Sequence, residues 1–158
     1  MAAHSAEAIR LQLRAAERAL KIKQAQESTL PFLQLNMPDP LDPEDATKSE
    51  YQVKHYHELL DRELAHLGEG LGLWYLIITP PRHGKTQFIK GRMAHLAAKK
   101  PWLDQIYATY NQPFADENGA EVRALLTSRA TRQVFPEFGF RDNRKNPAPD
   151  HMVTYKDG

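Results

Sequence analysis

A Gly-Lys-Thr tripeptide, formed by Gly84, Lys85 and Thr86, has the residue types that a polyphosphate site needs. A glycine lets the backbone come close enough for its N–H groups to reach phosphate oxygens. The lysine ammonium would lie between the β- and γ-phosphates, and the threonine hydroxyl would ligate the Mg²⁺ that bridges them. The tripeptide therefore predicts a site for ATP and Mg²⁺, with Thr86 as the metal ligand and Lys85 in a catalytic role.

These side chains can act together only if the backbone around them runs from a strand through a turn into a helix. Residues 73–79 form a short apolar run, which predicts a strand buried on both faces. Two prolines end that run, and apolar residues at helical spacing continue from Ile89 to Ala97. The N-terminus of a helix presents unpaired N–H groups and a partial positive charge to an anion. This is the arrangement of P-loop NTPases, although Thr79 stands where the usual pattern has its first glycine.

Other residues near the turn are candidates for contacts with the nucleotide. The turn and the first helical turn supply Pro81, Arg82, His83 and Gln87. Upstream, Gln52 could hydrogen-bond an adenine edge, and a solvated glutamine is the equal alternative. His55 and His57 lie on different faces of the helix predicted there, which favours structural, partly exposed histidines over a shared metal ion.

The composition fits one globular domain in a reducing compartment. The chain has 158 residues, of which 41% are hydrophobic, and it contains no cysteine, which excludes disulfides, thiolate zinc sites and thiol nucleophiles. The net charge of +1 gives no general argument for nucleic acid, and the clearest basic patch is local, at residues 129–145. No apolar segment is long enough to cross a membrane, so we expect a soluble cytoplasmic protein.

The chain is predicted to have three regions. Residues 1–28 predict an amphipathic helix, from Ala6 to Glu27, and residues 29–49 predict an irregular linker rich in proline and acidic side chains. Residues 50–158 predict a P-loop ATPase core of the α/β class, with a helix near 50–67, a second strand at Gln105–Tyr110 and a helix from Asn111 to Ser128. Alternating strands and helices predict a parallel sheet, here incomplete, and residues 151–158 open a further strand.

The sequence resembles the large subunits of tailed-phage DNA-packaging terminases. The resemblance covers roughly Phe32 to Asp157, and it is carried by the Pro-Pro-Arg-His-Gly-Lys-Thr loop, the YQVKHYHELL helix, the Ala-Thr-Tyr-Asn segment that ends at Asn111, and Val-Phe-Pro at 134–136. Its most specific element is Arg82, because terminases characteristically carry an arginine in this loop.

The resemblance implies an ATPase that drives double-stranded DNA into a procapsid in the cytoplasm of a bacterial host. Such an ATPase acts as a homo-oligomeric ring docked on the portal protein and is aided by a small terminase subunit. By this resemblance Arg82 would lie along the phosphates, where it would stabilise charge on the γ-phosphoryl group or couple hydrolysis to movement. A salt bridge that fixes the loop is the alternative role for Arg82.

Two parts of the family pattern are missing. No apolar run after Tyr110 ends in the paired acids that hold Mg²⁺ and position water, and residues 152–157 are the nearest candidate. The family's nuclease domain is absent as well. We therefore expect the N-terminal part of a terminase ATPase domain, without efficient hydrolysis or DNA cleavage and with unpaired strand edges that favour association. The alternatives are another P-loop protein, such as a small kinase or a helicase-like ATPase, and a non-catalytic binding module from a truncated prophage gene.

Overall fold

The computed structural model describes residues 2–67, 69, 72, 75–140 and 154–156. The chain forms six α-helices in this part: α1 (Ala2–Glu27), α2 (Thr29–Asn36), α3 (His55–Glu63), α4 (Lys85–Lys99), α5 (Gln112–Thr127) and α6 (Arg129–Val134). A short 3-10 helix, Leu64–His66, continues α3. One antiparallel pair joins strand β1 (Phe138–Phe140) to strand β2 (Thr154–Lys156), with Gly139 opposite Tyr155.

The predicted α/β fold with a parallel sheet is wrong, because the structure is mostly helical and has a single short strand pair. Of the residues described, 75–80 and 104–109 belong to no strand and share no backbone hydrogen bond with another described segment. Their β-branched and aromatic residues favour an extended chain, but a strand forms only when a neighbouring backbone supplies its hydrogen bonds. Leu73 and Trp74, the start of the predicted first strand, lie outside the described residues.

The prediction of irregular structure from residue 29 to residue 49 is wrong for its first part, which is helix α2. Pro31 lies in the first turn of this helix, where a backbone N–H would have no intrahelical acceptor, so the proline is tolerated. Phe32 and Leu33 are completely buried in α2. Burial of these apolar side chains overrides a local sequence that reads as a linker.

Helix α5 is confirmed with the start and end that the sequence predicts. The Asn111 side chain accepts a hydrogen bond from the Phe114 N–H at 2.9 Å, Pro113 lies in the first turn, and the helix ends before Ser128. The predicted N-terminal helix matches α1, and β2 lies in the segment predicted to open a further strand. The helix predicted near 50–67 begins later, at His55.

Helix α2 contributes to both clusters of buried apolar side chains. In the first cluster, Phe32 and Leu35 pack with side chains from α4, α5 and α6, which are Ala94, Ala98, Val122, Leu126 and Val134. In the second, Leu30 and Leu33 pack with Tyr51, Leu64 and Phe88. The core is therefore organised around an eight-residue helix.

Helices α2 and α4 approach most closely at Gly91. A Cβ atom built on Gly91 would lie 2.4 Å from Cδ2 and 2.5 Å from Cγ of Leu33. Leu33 is itself completely buried in the second apolar cluster, so a shift of its side chain would disturb its neighbours. Only glycine at this position permits the observed spacing of the two helices.

Two buried polar residues on α4 attach it to the helices around it. The Arg92 guanidinium donates to the carbonyls of Leu64 and Ala65 at 2.8 and 3.0 Å, at the end of the α3 region. Nε2 of His95 lies 3.0 Å from the carbonyl oxygen of Ala25 in α1. Burial, together with the nearby positive charges of Arg92 and Lys99, lowers the pKa of His95 to about 4.

Replacement of Gly91 by alanine should destabilise the protein. The methyl group would overlap Leu33, and overpacking of this kind costs about 1–3 kcal/mol, more than the roughly 1 kcal/mol that alanine gains over glycine in a helix. Gly119 in α5 is the matched control, because nothing lies within 4 Å of its built Cβ atom. Urea unfolding should show a lower free energy of unfolding for Gly91→Ala and a higher one for Gly119→Ala. Equal stabilisation by both substitutions would contradict the close contact between α2 and α4.

Because of His95, the free energy of unfolding should decrease at acid pH. Because its pKa in the folded protein lies below the ordinary value of 6.5, the unfolded chain binds the proton first, and stability is lost as the pH falls from about 6.5 toward 4. The wild type should have a higher free energy of unfolding than His95→Gln at pH 7. This difference should decrease by about 3 kcal/mol between pH 7 and pH 4. His55→Gln is the control, since 96% of the His55 side chain is exposed. A difference between wild type and His95→Gln that does not change with pH would exclude this role for His95.

Candidate functional site

The candidate site is residues 80–86, which are the turn before α4 and the first two residues of that helix. It is called the phosphate loop below, after the ligand that the sequence predicts. Gly84 is the N-cap of α4 and has left-handed backbone angles, φ 73° and ψ 7°, that glycine adopts without steric cost. Lys85 and Thr86 are the first two residues of the helix. The first intrahelical bond of α4 runs from the Phe88 N–H to the Gly84 carbonyl at 2.9 Å. The backbone N–H groups of residues 85–87 therefore have no intrahelical acceptor and are available to an anion.

Lys85 and Arg82 are the two cations of the loop. Nζ of Lys85 lies 3.4 Å from the carbonyl oxygen of Pro80, so the side chain folds back over the loop. Arg82 is exposed and has φ 60°, the single positive φ among non-glycine residues in the part of the chain that is described. Such a conformation costs about 1 kcal/mol or more for a residue with a Cβ atom. Strain of this kind is concentrated at functional sites, where the surrounding structure holds it in place.

The first turn of α3 contacts the phosphate loop at residues 83 and 84. The Tyr56 hydroxyl donates a hydrogen bond to the carbonyl oxygen of His83. His57 is 3% exposed, and its Nε2 would lie 3.2 Å from a Cβ atom built on Gly84. No hydrogen-bond partner for this Nε2 exists among the described residues. A buried polar atom therefore faces the N-cap of α4.

The imidazole of His57 is neutral and has a defined tautomer. Its Nδ1 accepts a hydrogen bond from the Lys54 N–H at 3.1 Å, so the ring proton is on Nε2. Burial lowers the pKa of His57, and the nearby backbone of His83 opposes this change only in part. His57 is thus a fully enclosed residue of the site rather than the partly exposed histidine that the sequence suggests. The sequence contains no signal for its contact with Gly84, which depends on the packing of α3 against α4.

The remaining residues predicted to bind nucleotide are only partly brought together. The structure unites Pro81, Arg82, His83, Gly84, Lys85 and Thr86 in one loop, where Nδ1 of His83 lies 2.8 Å from the carbonyl oxygen of Pro81. Nε2 of Gln87 is 3.6 Å from Sδ of Met37, so its side chain contacts Met37. Gln52 is exposed before α3 and accepts a hydrogen bond from Nζ of Lys54 at 3.3 Å.

The described residues fit a metal ion that is coordinated mainly by a bound nucleotide and by water. They contain no group of three or more His, Asp or Glu side chains that could hold a metal ion. Thr86 is exposed at the start of α4 and could supply one hydroxyl ligand. Mg²⁺ commonly keeps several waters and binds through substrate phosphates with few protein ligands. A magnesium nucleotide is therefore compatible with this loop, whereas a free-standing Mg²⁺ site is not built here.

The basic patch predicted at residues 129–145 is only partly described. Arg132 donates to the carbonyl of Thr127 at 2.8 Å, and Arg129 lies 4.0 Å from a carboxylate oxygen of Glu44. The other cations of the patch, Arg141, Arg144 and Lys145, lie outside the described residues. So does Asp157, the acid of the weak candidate strand for Mg²⁺ binding.

Gly84→Ala should disturb the loop without affecting the rest of the core. Alanine at φ 73° costs about 1–2 kcal/mol, and its methyl group would also press on His57 at 3.2 Å. Thermal unfolding should show a lower midpoint for Gly84→Ala than for the wild type. Gly72→Ala is the matched control, because no atom of the described residues lies within 4 Å of its built Cβ atom. A stability unchanged in Gly84→Ala would mean that the left-handed N-cap is not required.

Comparison with protein-family models, with curated proteins and with solved structures finds no match to this chain.

Proposed function

We propose that this chain binds MgATP through the phosphate loop, as the nucleotide-binding part of a DNA-packaging motor of the terminase large-subunit type. The observation that carries the proposal is the left-handed Gly84 at the N-cap of α4, followed directly by Lys85 and Thr86. This geometry combines free backbone N–H groups, the positive end of a 15-residue helix and an ammonium group in one place.

Lys85, Thr86 and Arg82 each have a physical role in the proposal. Lys85 contributes a positive charge to the β- and γ-phosphates, and Thr86 contributes a hydroxyl ligand to Mg²⁺. When bound, Mg²⁺ neutralises charge on the phosphate oxygens. Arg82 lies along the phosphates, which gives a reason for its strained backbone. The chain is proposed to bind nucleotide, and the acid that would position an attacking water is not assigned to any described residue.

The wider role rests on the resemblance of the loop and its flanking segments to terminases. In that role the partners are double-stranded DNA, the portal protein, the small terminase subunit and further copies of the chain in a ring. The setting is the cytoplasm of a bacterial host. Among the described residues, no helix combines the length and the apolar character that a membrane span requires.

A second candidate function is a non-catalytic interaction module. It is favoured by the large apolar side chains that residues 75–80 and 102–110 expose. Leu76, Ile78 and Ile106 are each more than four-fifths exposed. Exposed apolar side chains are typical of protein contact sites where they form a patch. The two candidates differ in one measurable property, which is whether the affinity for MgATP depends on Lys85.

Lys85→Ala should weaken the binding of MgATP by about 10- to 100-fold. This is the effect expected when a charge-assisted hydrogen bond of about 1.5–3 kcal/mol is removed. Isothermal titration calorimetry on the purified chain measures the affinity directly. Lys99→Ala is the matched control, because Lys99 is the same residue type at the opposite end of the same helix and pairs with Glu27 at 2.8 Å. Equal MgATP affinity in wild type and Lys85→Ala would remove the nucleotide proposal and leave the interaction module.

A further inference from the structure

The direction of one peptide group in the phosphate loop is set from outside the loop. The peptide bond between His83 and Gly84 is trans, as no cis peptide bond occurs in the described chain. In a planar trans peptide the carbonyl of one residue and the N–H of the next point in opposite directions. The Tyr56 hydroxyl binds the His83 carbonyl on the α3 side. The Gly84 N–H must therefore point away from α3.

The Tyr56 side chain is itself held in place by His57. The two rings lie next to each other, with centroids 4.0 Å apart, and the Tyr56 ring also meets the His83 ring at 5.9 Å. His57 is buried and packs on Phe88 in α4, with centroids 6.4 Å apart and nearly parallel rings. Tyr56 is thus connected to the core on one side and to the loop on the other. Its hydroxyl is placed by the fold and does not depend on a bound ligand.

We propose that Tyr56 is a positioning residue, whose hydroxyl orients the 83–84 peptide so that the Gly84 N–H is presented to a polyphosphate anion. This inference rests on the proposed function, because it assigns a purpose to the orientation of that N–H group. It assigns no contact between Tyr56 and the anion. The Tyr56 hydroxyl on α3 holds the His83 carbonyl toward α3, and the Gly84 N–H on the opposite side of the same peptide gains a fixed direction.

The test compares Tyr56→Phe with the wild type. Phenylalanine keeps the ring that packs on His57 and removes only the hydroxyl. Tyr51→Phe is the matched control: Tyr51 belongs to the same ring cluster, 5.3 Å from His57 between centroids, and its buried hydroxyl has no described hydrogen-bond partner. Three quantities are measured for each protein: the affinity for MgATP, the affinity for inorganic tripolyphosphate, and the NMR backbone order parameter of the Gly84 N–H without ligand.

Tyr56→Phe should lower the affinity for both anions by about three- to tenfold. This is the range expected for the loss of a hydrogen bond of ordinary net strength. The order parameter of the Gly84 N–H should fall in the same variant, because the peptide is no longer held. Tyr51→Phe should change none of the three quantities. Unchanged affinities and an unchanged order parameter in Tyr56→Phe would overturn the inference. So would equal losses in both variants, which would indicate general loosening of the ring cluster.

Two further outcomes separate this inference from the function on which it rests. If Tyr56→Phe lost affinity for MgATP alone and kept its affinity for tripolyphosphate, Tyr56 would act on the nucleoside and the positioning role would be wrong. If the wild type bound neither anion, the proposed function would fail. In that case the order parameter still decides whether Tyr56 fixes the loop peptide, since it is measured on the protein without ligand.

Discussion

The structure depends on the close contact between α2 and α4, where Leu33 lies against Gly91. A single additional carbon on Gly91 would come within 2.4 Å of Leu33, so the separation of the two helices is fixed by the smallest side chain available. Helix α2 places residues in both apolar clusters, and α4 contributes to both from the other side of the contact. The N-terminus of α4, which carries the phosphate loop, therefore has a position that is set in the centre of the core.

Helices α3 and α4 hold the candidate site, and the α3 region contacts α4 in two places. At the loop, the first turn of α3 supports the backbone of residues 83 and 84 through Tyr56 and His57. Further along α4, the buried Arg92 donates to the carbonyls of Leu64 and Ala65 at the other end of the α3 region. A charge-assisted bond of this kind is costly to break, because the Leu64 carbonyl would remain buried and the guanidinium would lose its acceptors. The relation of the α3 region to α4 is consequently fixed both at the loop and further along α4.

The extended segments show what this helical core does not bury. Ile77 packs on the second apolar cluster, while the neighbouring residues Leu76 and Ile78 are 86% and 83% exposed. In an extended chain successive side chains point to opposite faces, so one face of the segment is covered by helices and the other faces solvent. Residues 104–109 alternate between exposed and half-buried positions in the same way. The prediction of a sheet is wrong for both segments. The prediction of burial on both faces is also wrong for the first segment, because Leu76 and Ile78 are exposed.

Local signals in the sequence determined the helices that have a cap or a strong intrinsic propensity, and they determined the residues of the phosphate loop. Asn111 and Pro113 are sufficient to start α5, and a glycine before Lys85 is sufficient to suggest a left-handed N-cap, because both depend only on nearby backbone. Tertiary structure alone decided that Thr29–Asn36 is a helix despite Pro31, and that His57 and Tyr56 lie under the loop. It also decided that residues 75–80 and 104–109 pair with no described strand. The physical reason is that burial and strand pairing require partners distant in sequence, and a short stretch of residues carries no information on where those partners lie.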